Sequence, residues 1–238
     1  MTLLAAVVQG TVGFGFTLLA VSFFLLILQS AAAIQLLIVL NLVISLWVAR
    51  NLWRNVPRAL WIRLVAGATL GFPVGLAVFN YASVVQLKVV VAVVILVFVP
   101  LMAFRHVPEQ GASLPAYRSS SSVGVGILAG AMTTSLGMPG PPLSLYLTAL
   151  GADKEALRAI SLTFFAVTFA AALLLQALTF GVDGEVWTMA AVLAPVAVVG
   201  GQLGHRLSKR VTESTFRRAV LWLIGGTGAY TLLTTLIA

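Results

Sequence analysis

The chain has 238 residues; 61% are apolar, only 8% are charged, and the mean hydropathy is +1.09. A soluble domain carries about 25% charged residues, so water-soluble folds are excluded, and so is disorder, which needs a polar, charged composition. Fourteen basic against six acidic residues leave a net charge of +8, and the absence of cysteine removes disulfides, thiolate metal sites and thiol nucleophiles.

The first segment, Met1–Ser30, has no charged side chain and is interrupted at Gly10-Thr11-Val12-Gly13-Phe14-Gly15. It is long for one crossing of about 20 residues and short for two, and it lacks the basic n-region of a signal peptide. Ala31–Ala49 is the first full span. The loop behind it carries Arg50, Arg54, Arg58 and Arg63, and loops rich in Lys and Arg stay cytoplasmic. Leu64–Tyr81 and Val84–Phe104 are the next spans. Lys88 and Arg105, near the ends of the latter, can snorkel to the interface. A membrane β-barrel would alternate polar and apolar residues, whereas Val89–Leu101 is almost unbroken aliphatic. A polar linker, 106–121, follows; His106 within it belongs to no constellation.

The second uncharged stretch, Ser119–Ala152, is again too long for one crossing and too short for two. Its interruption is Gly137-Met138-Pro139-Gly140-Pro141-Pro142. Asp153–Arg158 reads as a loop, Ala159–Phe180 as a span, and the acidic loop Gly181–Glu185 as its outer end. Val186–Leu203 is the next span. A second basic stretch, Arg206, Lys209, Arg210, Arg217 and Arg218, precedes the last, Ala219–Ile237. The positive charge thus sits in orienting loops, not on a nucleic-acid-binding face.

The two interrupted segments align at an offset of 124: Leu4-Ala5 meets Leu128-Ala129, Gly13 meets Gly137, and Leu19 meets Leu143. At an offset of 129, Gly71 and Gly75 meet Gly200 and Gly204. The chain reads as halves 1–105 and 122–238 in one integrated transport domain. The basic loop follows the second element of the first half but falls one element later in the second. The expected fold is therefore an all-α polytopic membrane protein of two inverted repeats. Each has a Gly/Pro-broken, re-entrant first element plus three transmembrane helices. The alternative is eight full crossings with parallel repeats, which conflicts with the orientation rule.

Broken backbone within a bilayer is tolerated only inside protein or beside a cavity, and paired breaks in two inverted halves point to a transport site. Each break exposes a helix N-terminus, whose N–H groups and positive dipole end attract anions. Proline is suited to the first turn. The candidate binding residues are Gln9, Thr11, Gly13, Phe14, Gly15, Phe16 and Thr17 in the first break. In the second they are Thr134, Ser135, Gly137, Met138, Pro139, Gly140 and Pro141. Their hydroxyls and amides can donate to oxyanions; for a single Ser or Thr, bonding to its own helix backbone is an equal expectation. Asn41, Gln35 and Gln176 are polar residues in mid-span that could line the path, although interhelical bonding is the commoner role there. The Gly67/Gly71/Gly75 and Gly200/Gly201/Gly204 sets read as helix contacts. His205 reads as an interface residue. No acid, Lys or Arg is placed in the interior of a span, so coupling through a buried carboxylate is not supported.

The breaks Gly10-Thr11-Val12-Gly13-Phe14-Gly15-Phe16 and Leu136-Gly137-Met138-Pro139-Gly140-Pro141-Pro142, with the helix end Gly200-Gly201-Gln202-Leu203-Gly204-His205-Arg206-Leu207, resemble the TauE/SafE sulfite exporter family over essentially the whole chain. The resemblance implies a multi-pass permease of the bacterial inner membrane that exports sulfite, sulfoacetate or a related organosulfur anion, with no cofactor. Phenylalanines interleave the glycines here, where the family commonly has consecutive glycines, and this leaves the exact substrate open. The expected partners are a small anion and the lipid bilayer; nucleic acid is not expected, and homo-oligomerisation is left open. The competing readings are a channel-like pathway, a transporter of other small anions or carboxylates, and an intramembrane enzyme. The last lacks a base near Ser135 to activate it.

Overall fold

A computed structural model describes residues 1–50, 52–104 and 119–208. The expected span at Ala219–Ile237 and linker residues 105–118 lie outside them. Regular structure among the described residues is helical: α1 (Thr2–Val12), α2 (Phe16–Leu28), α3 (Ala32–Ala49), α4 (Arg58–Tyr81), α5 (Val84–Phe104), α6 (Ser119–Leu136), α7 (Gly140–Ala149), α8 (Lys154–Phe180) and α9 (Gly184–Leu207), with a 3-10 turn at Trp53–Asn55. Helix α6 starts at Ser119, so the last residues of the expected linker are helical.

Helices α3, α4, α8 and α9 are each long and apolar enough to cross a membrane. Their outward faces carry large apolar side chains such as Leu70, Leu178 and Val192. Water would not tolerate apolar exposure on this scale; lipid does. The fold is that of a multi-pass membrane protein.

Helices α4 and α8 begin several residues before the apolar runs. Pro57 precedes α4, where its missing N–H costs nothing. At α8 the sequence reading of a loop at Asp153–Arg158 is corrected. Asp153 is the N-cap, its carboxylate accepting from the Ala156 N–H at 2.7 Å, and Lys154–Arg158 form the first turn. Glu155 adds a favourable charge at the positive helix end. The replacement Asp153→Ala should lower stability by about 1 kcal/mol, read as a reduced thermal midpoint in detergent.

Two close helix seams fasten the chain, and each joins an early element to a late one. Helix α1 packs on α9, and α4 on α6. Gly67, Gly71 and Gly75 of α4 lie against the α6 backbone from Val123 to Ala131, while Gly200 and Gly204 of α9 lie against Leu3, Val7 and Gly10 of α1. A Cβ at Gly71 would collide with the Ile127 carbonyl, and one at Gly204 with the Val7 carbonyl. Helix association in lipid depends on such close packing, because the hydrophobic effect does not drive it there.

Polar contacts fix which helix ends lie together. Gln35, near the start of α3, donates to the Gly181 carbonyl after α8 at 2.9 Å. Lys154, at the start of α8, donates to the Ser208 carbonyl after α9 at 2.7 Å. Tyr146, near the end of α7, shares a 2.7 Å hydrogen bond with Ser122, near the start of α6. The segment from α6 to α7 therefore turns back on itself at Gly137–Pro139.

Candidate functional site

The two breaks end in the same way. Helix α1 stops at Gly13, whose φ of 96° is left-handed and whose N–H donates to the Gln9 carbonyl at 2.7 Å. Gly15, also left-handed, is the N-cap of α2. Helix α6 closes in the simple left-handed motif, with one bond from the glycine N–H to the carbonyl four residues back. The Gly137 N–H reaches the Thr133 carbonyl and the Met138 N–H reaches Met132, each at 3.0 Å. Gly137 has φ 66°, and Pro139 caps α7.

The beginnings of α2 and α7 meet around one small cavity of about 10 Å³, the space of a single water. It is lined by Gln9, Gly15, Thr17 and Leu18 from the first break and by Met138, Pro139, Gly140 and Pro141 from the second. Asn41 from the middle of α3, with Phe165 and Phe169 from the middle of α8, completes the wall. Thr17 ties the breaks together: its hydroxyl donates to the Gly137 carbonyl at 2.7 Å and accepts from the Asn41 amide at 2.9 Å. Asn41 also donates to the Leu37 carbonyl at 2.8 Å, and Gln9 donates to the Ser45 hydroxyl at 3.3 Å. All four polar side chains are buried.

The two helix starts are not equal donors. In α2 the first intrahelical bond runs from the Leu19 N–H to the Gly15 carbonyl, so Phe16, Thr17 and Leu18 carry N–H groups without an intrahelical acceptor. In α7 the second and third positions are Pro141 and Pro142, which have no N–H; Gly140 supplies the one donor of the first three.

Seven of the expected residues line the cavity: Gln9, Gly15, Thr17, Met138, Pro139, Gly140 and Pro141. Gly13, Phe14 and Gly137 shape the breaks behind it. A Cβ on Gly140 would lie 3.3 Å from that of Phe14, so the breaks touch there. The other four lie elsewhere. Thr11 donates to the Val7 and Gly204 carbonyls in the α1–α9 seam. Thr134 donates to Phe72 and Gly130 in the α4–α6 seam, and Ser135 donates to Ala131 within α6. Phe16 is fully buried in the core. Gln35 and Gln176 bond between helices, Gln176 donating to the Thr134 carbonyl at 2.8 Å.

Sequence reasoning weighed Asn41 as a residue that could line the path but kept it out of the binding set, and did not single out Leu18, Phe165 or Phe169. The signals available were an amide midway along an apolar helix and two phenylalanines four positions apart on one helix face. It also did not foresee Arg158 in a helix interior. The side chain is only 8% exposed and lies against the first break: a Cβ on Gly13 would stand 2.8 Å from the Arg158 Cα. No group of three or more metal-binding side chains occurs among the described residues.

The family model of the sulfite exporter TauE/SafE matches residues 1–231. The chain belongs to the TauE/SafE family. Comparison with curated proteins and with solved structures returns no significant match. TauE/SafE is a transporter family, and membership agrees with the apolar, outward-facing helices in making this a transmembrane permease. As a TauE/SafE member the chain carries its two Gly/Pro breaks side by side on a common cavity, to which the first break turns Gln9 and Thr17.

Proposed function

We propose that this TauE/SafE member exports a small sulfur oxyanion, such as sulfite or sulfoacetate, across a bacterial inner membrane. The anion binds near the middle of the bilayer, between the starts of α2 and α7. The observation that carries this reading is the convergence of both helix starts, with Gln9, Thr17 and Asn41, on one buried cavity. Helix-end N–H groups and neutral amides suit an anion that must also leave, because no fixed cation lines that cavity to trap it. The prolines of α7 put most of the N–H donation on α2.

The reading includes two inverted halves, 1–105 and 122–238, joined through 106–121, each opening with a re-entrant hairpin. The Ser122–Tyr146 bond supports it for the second half, since both ends of the hairpin share one end of the bundle. The seams support it too: α1 with α9 and α6 with α4 are the same pairing under exchange of the halves. A cavity of single-water size requires the wall to part before an oxyanion enters, as alternating access does.

The test is efflux of labelled sulfite from proteoliposomes. The replacement Thr17→Val keeps the shape and removes the donor to the Gly137 carbonyl, leaving a buried acceptor unpaired at a cost of about 1–3 kcal/mol. Efflux is expected to fall about tenfold or more while the protein still inserts. Wild-type-like efflux of sulfite in this variant would move the site away from the breaks. Saturation and counterflow distinguish the carrier from a channel.

A further inference from the structure

One buried cation is not used by that site. Arg158 sits in the first turn of α8, among the ends of α1 and α9. Its Nε donates to the Gly10 carbonyl at 2.9 Å. Its Nη2 meets His205 Nδ1. A guanidinium has only donors, so this His205 nitrogen accepts. Glu155, three positions earlier on the same helix, forms no ion pair with it among the described residues. Its direct bonds are thus to a carbonyl and an imidazole, both neutral acceptors, while Glu155 acts on it only through space; a buried charge is ordinarily matched by a directly bonded opposite one.

The placement is one-sided. Gly13 packs on Arg158, and in the other half Gly137 packs on Ile38 and Ile34. Ile34 precedes Arg158 by 124 positions, the offset that separates Gly13 from Gly137. Where one break is backed by an aliphatic residue, the other is backed by the stem of an arginine whose guanidinium reaches on to the Gly10 carbonyl. The charged end also holds Lys154, Arg206 and the Ser208 carbonyl that Lys154 reaches.

We propose that Arg158 is a one-sided docking residue for the transported oxyanion, distinct from the cavity between the breaks and reached from the basic end of the bundle. The inference rests on the anion-permease reading. Two oxygens of the anion take the guanidinium fork in place of the His205 nitrogen, exchanging a neutral acceptor for a charged one; such bonds are shorter and about twice as strong. His205 is the placeholder that holds the fork in position between transport events. Among the described residues the far end, with Ile34 at the matching position, lacks such a station, so the two faces differ in apparent affinity.

The test is calorimetric titration of sulfite into the full chain in detergent, with sided flux in proteoliposomes. The replacement Arg158→Gln retains a donor for the Gly10 carbonyl and removes the charge. It is expected to weaken sulfite binding about tenfold and to raise half-saturation for sulfite at the basic face relative to the opposite face. His205→Ala removes the competing acceptor and is expected to tighten sulfite binding. A purely structural tie predicts otherwise: both variants would lower the thermal midpoint, and neither would tighten binding. Unchanged binding and unchanged sidedness in Arg158→Gln, or weakened binding in both variants, overturns the docking role while leaving the permease reading in place. A wild-type protein that neither binds nor moves sulfite or sulfoacetate overturns both.

Discussion

Leucine in place of Gly13 is expected to reduce sulfite efflux to background while the protein still reaches the membrane. Two effects act together. The left-handed φ of 96° strains any residue with a Cβ, at about 1–3 kcal/mol. The new Cβ would also stand 2.8 Å from the Arg158 Cα, which is helix backbone and cannot swing aside. Either the first turn of α8 retreats or the start of α2 shifts, and Gly15 and Thr17 lose their places at the cavity. Gly124→Leu is the matched control. It lies on α6, its Cβ meets nothing within 4 Å, and flux should be unchanged. Efflux from loaded proteoliposomes checks both, with fluorescence-detected size exclusion reporting insertion and folding.

The second large effect is on stability. Gly71→Leu should yield little monodisperse protein, because the Cβ alone would meet the Ile127 carbonyl and approach the Ala131 nitrogen at 2.8 Å. Overpacking typically costs about 1–3 kcal/mol, and here the obstacle is helix backbone on both sides, so the seam must open along its length. Gly71→Ala should fall between this variant and wild type. Thermal midpoints in detergent give the ranking; a midpoint for Gly71→Leu equal to wild type would show that α4 and α6 are not held at backbone contact.

The helical character and the position of the breaks were legible because composition and glycine or proline punctuation are local. The long apolar runs became α3, α4, α5, α8 and α9, and the breaks fell at Gly13–Gly15 and Gly137–Pro139, inside the interrupted motifs. Helix starts were less legible. A hydropathy reading starts these spans at Leu64 and Ala159, just after Arg63 and Arg158, whereas the backbone starts at whichever residue caps it, here Pro57 and Asp153. Partnership was not legible at all. The small-residue stripes of α4 and α9 announce close packing without saying against what; only the fold pairs Gly71 with Ile127 and Gly204 with Val7. The same limit applies to single polar residues. Thr11 and Thr17 are alike in sequence, yet one spends its hydroxyl in a seam and the other joins the two breaks. Arg158 read as part of a loop because charge argues for water; its burial comes from the Gly10 carbonyl and His205, far away in the chain.

The α1–α9 seam also sets a timetable for biogenesis. Thr11 and the Gly204 carbonyl it bonds are 193 residues apart. At a synthesis rate of about 5–20 residues per second, α1 waits roughly 10–40 s for its partner to leave the ribosome. Throughout that interval its glycine-lined face has no α9 complement in place, although Ser45, the partner of Gln9, follows only 36 residues later. Helix α1 leaves the ribosome well before the helix that seats it, and a nascent chain arrested before α9 would expose that face to the insertion machinery, to lipid and to the quality-control proteases of the membrane.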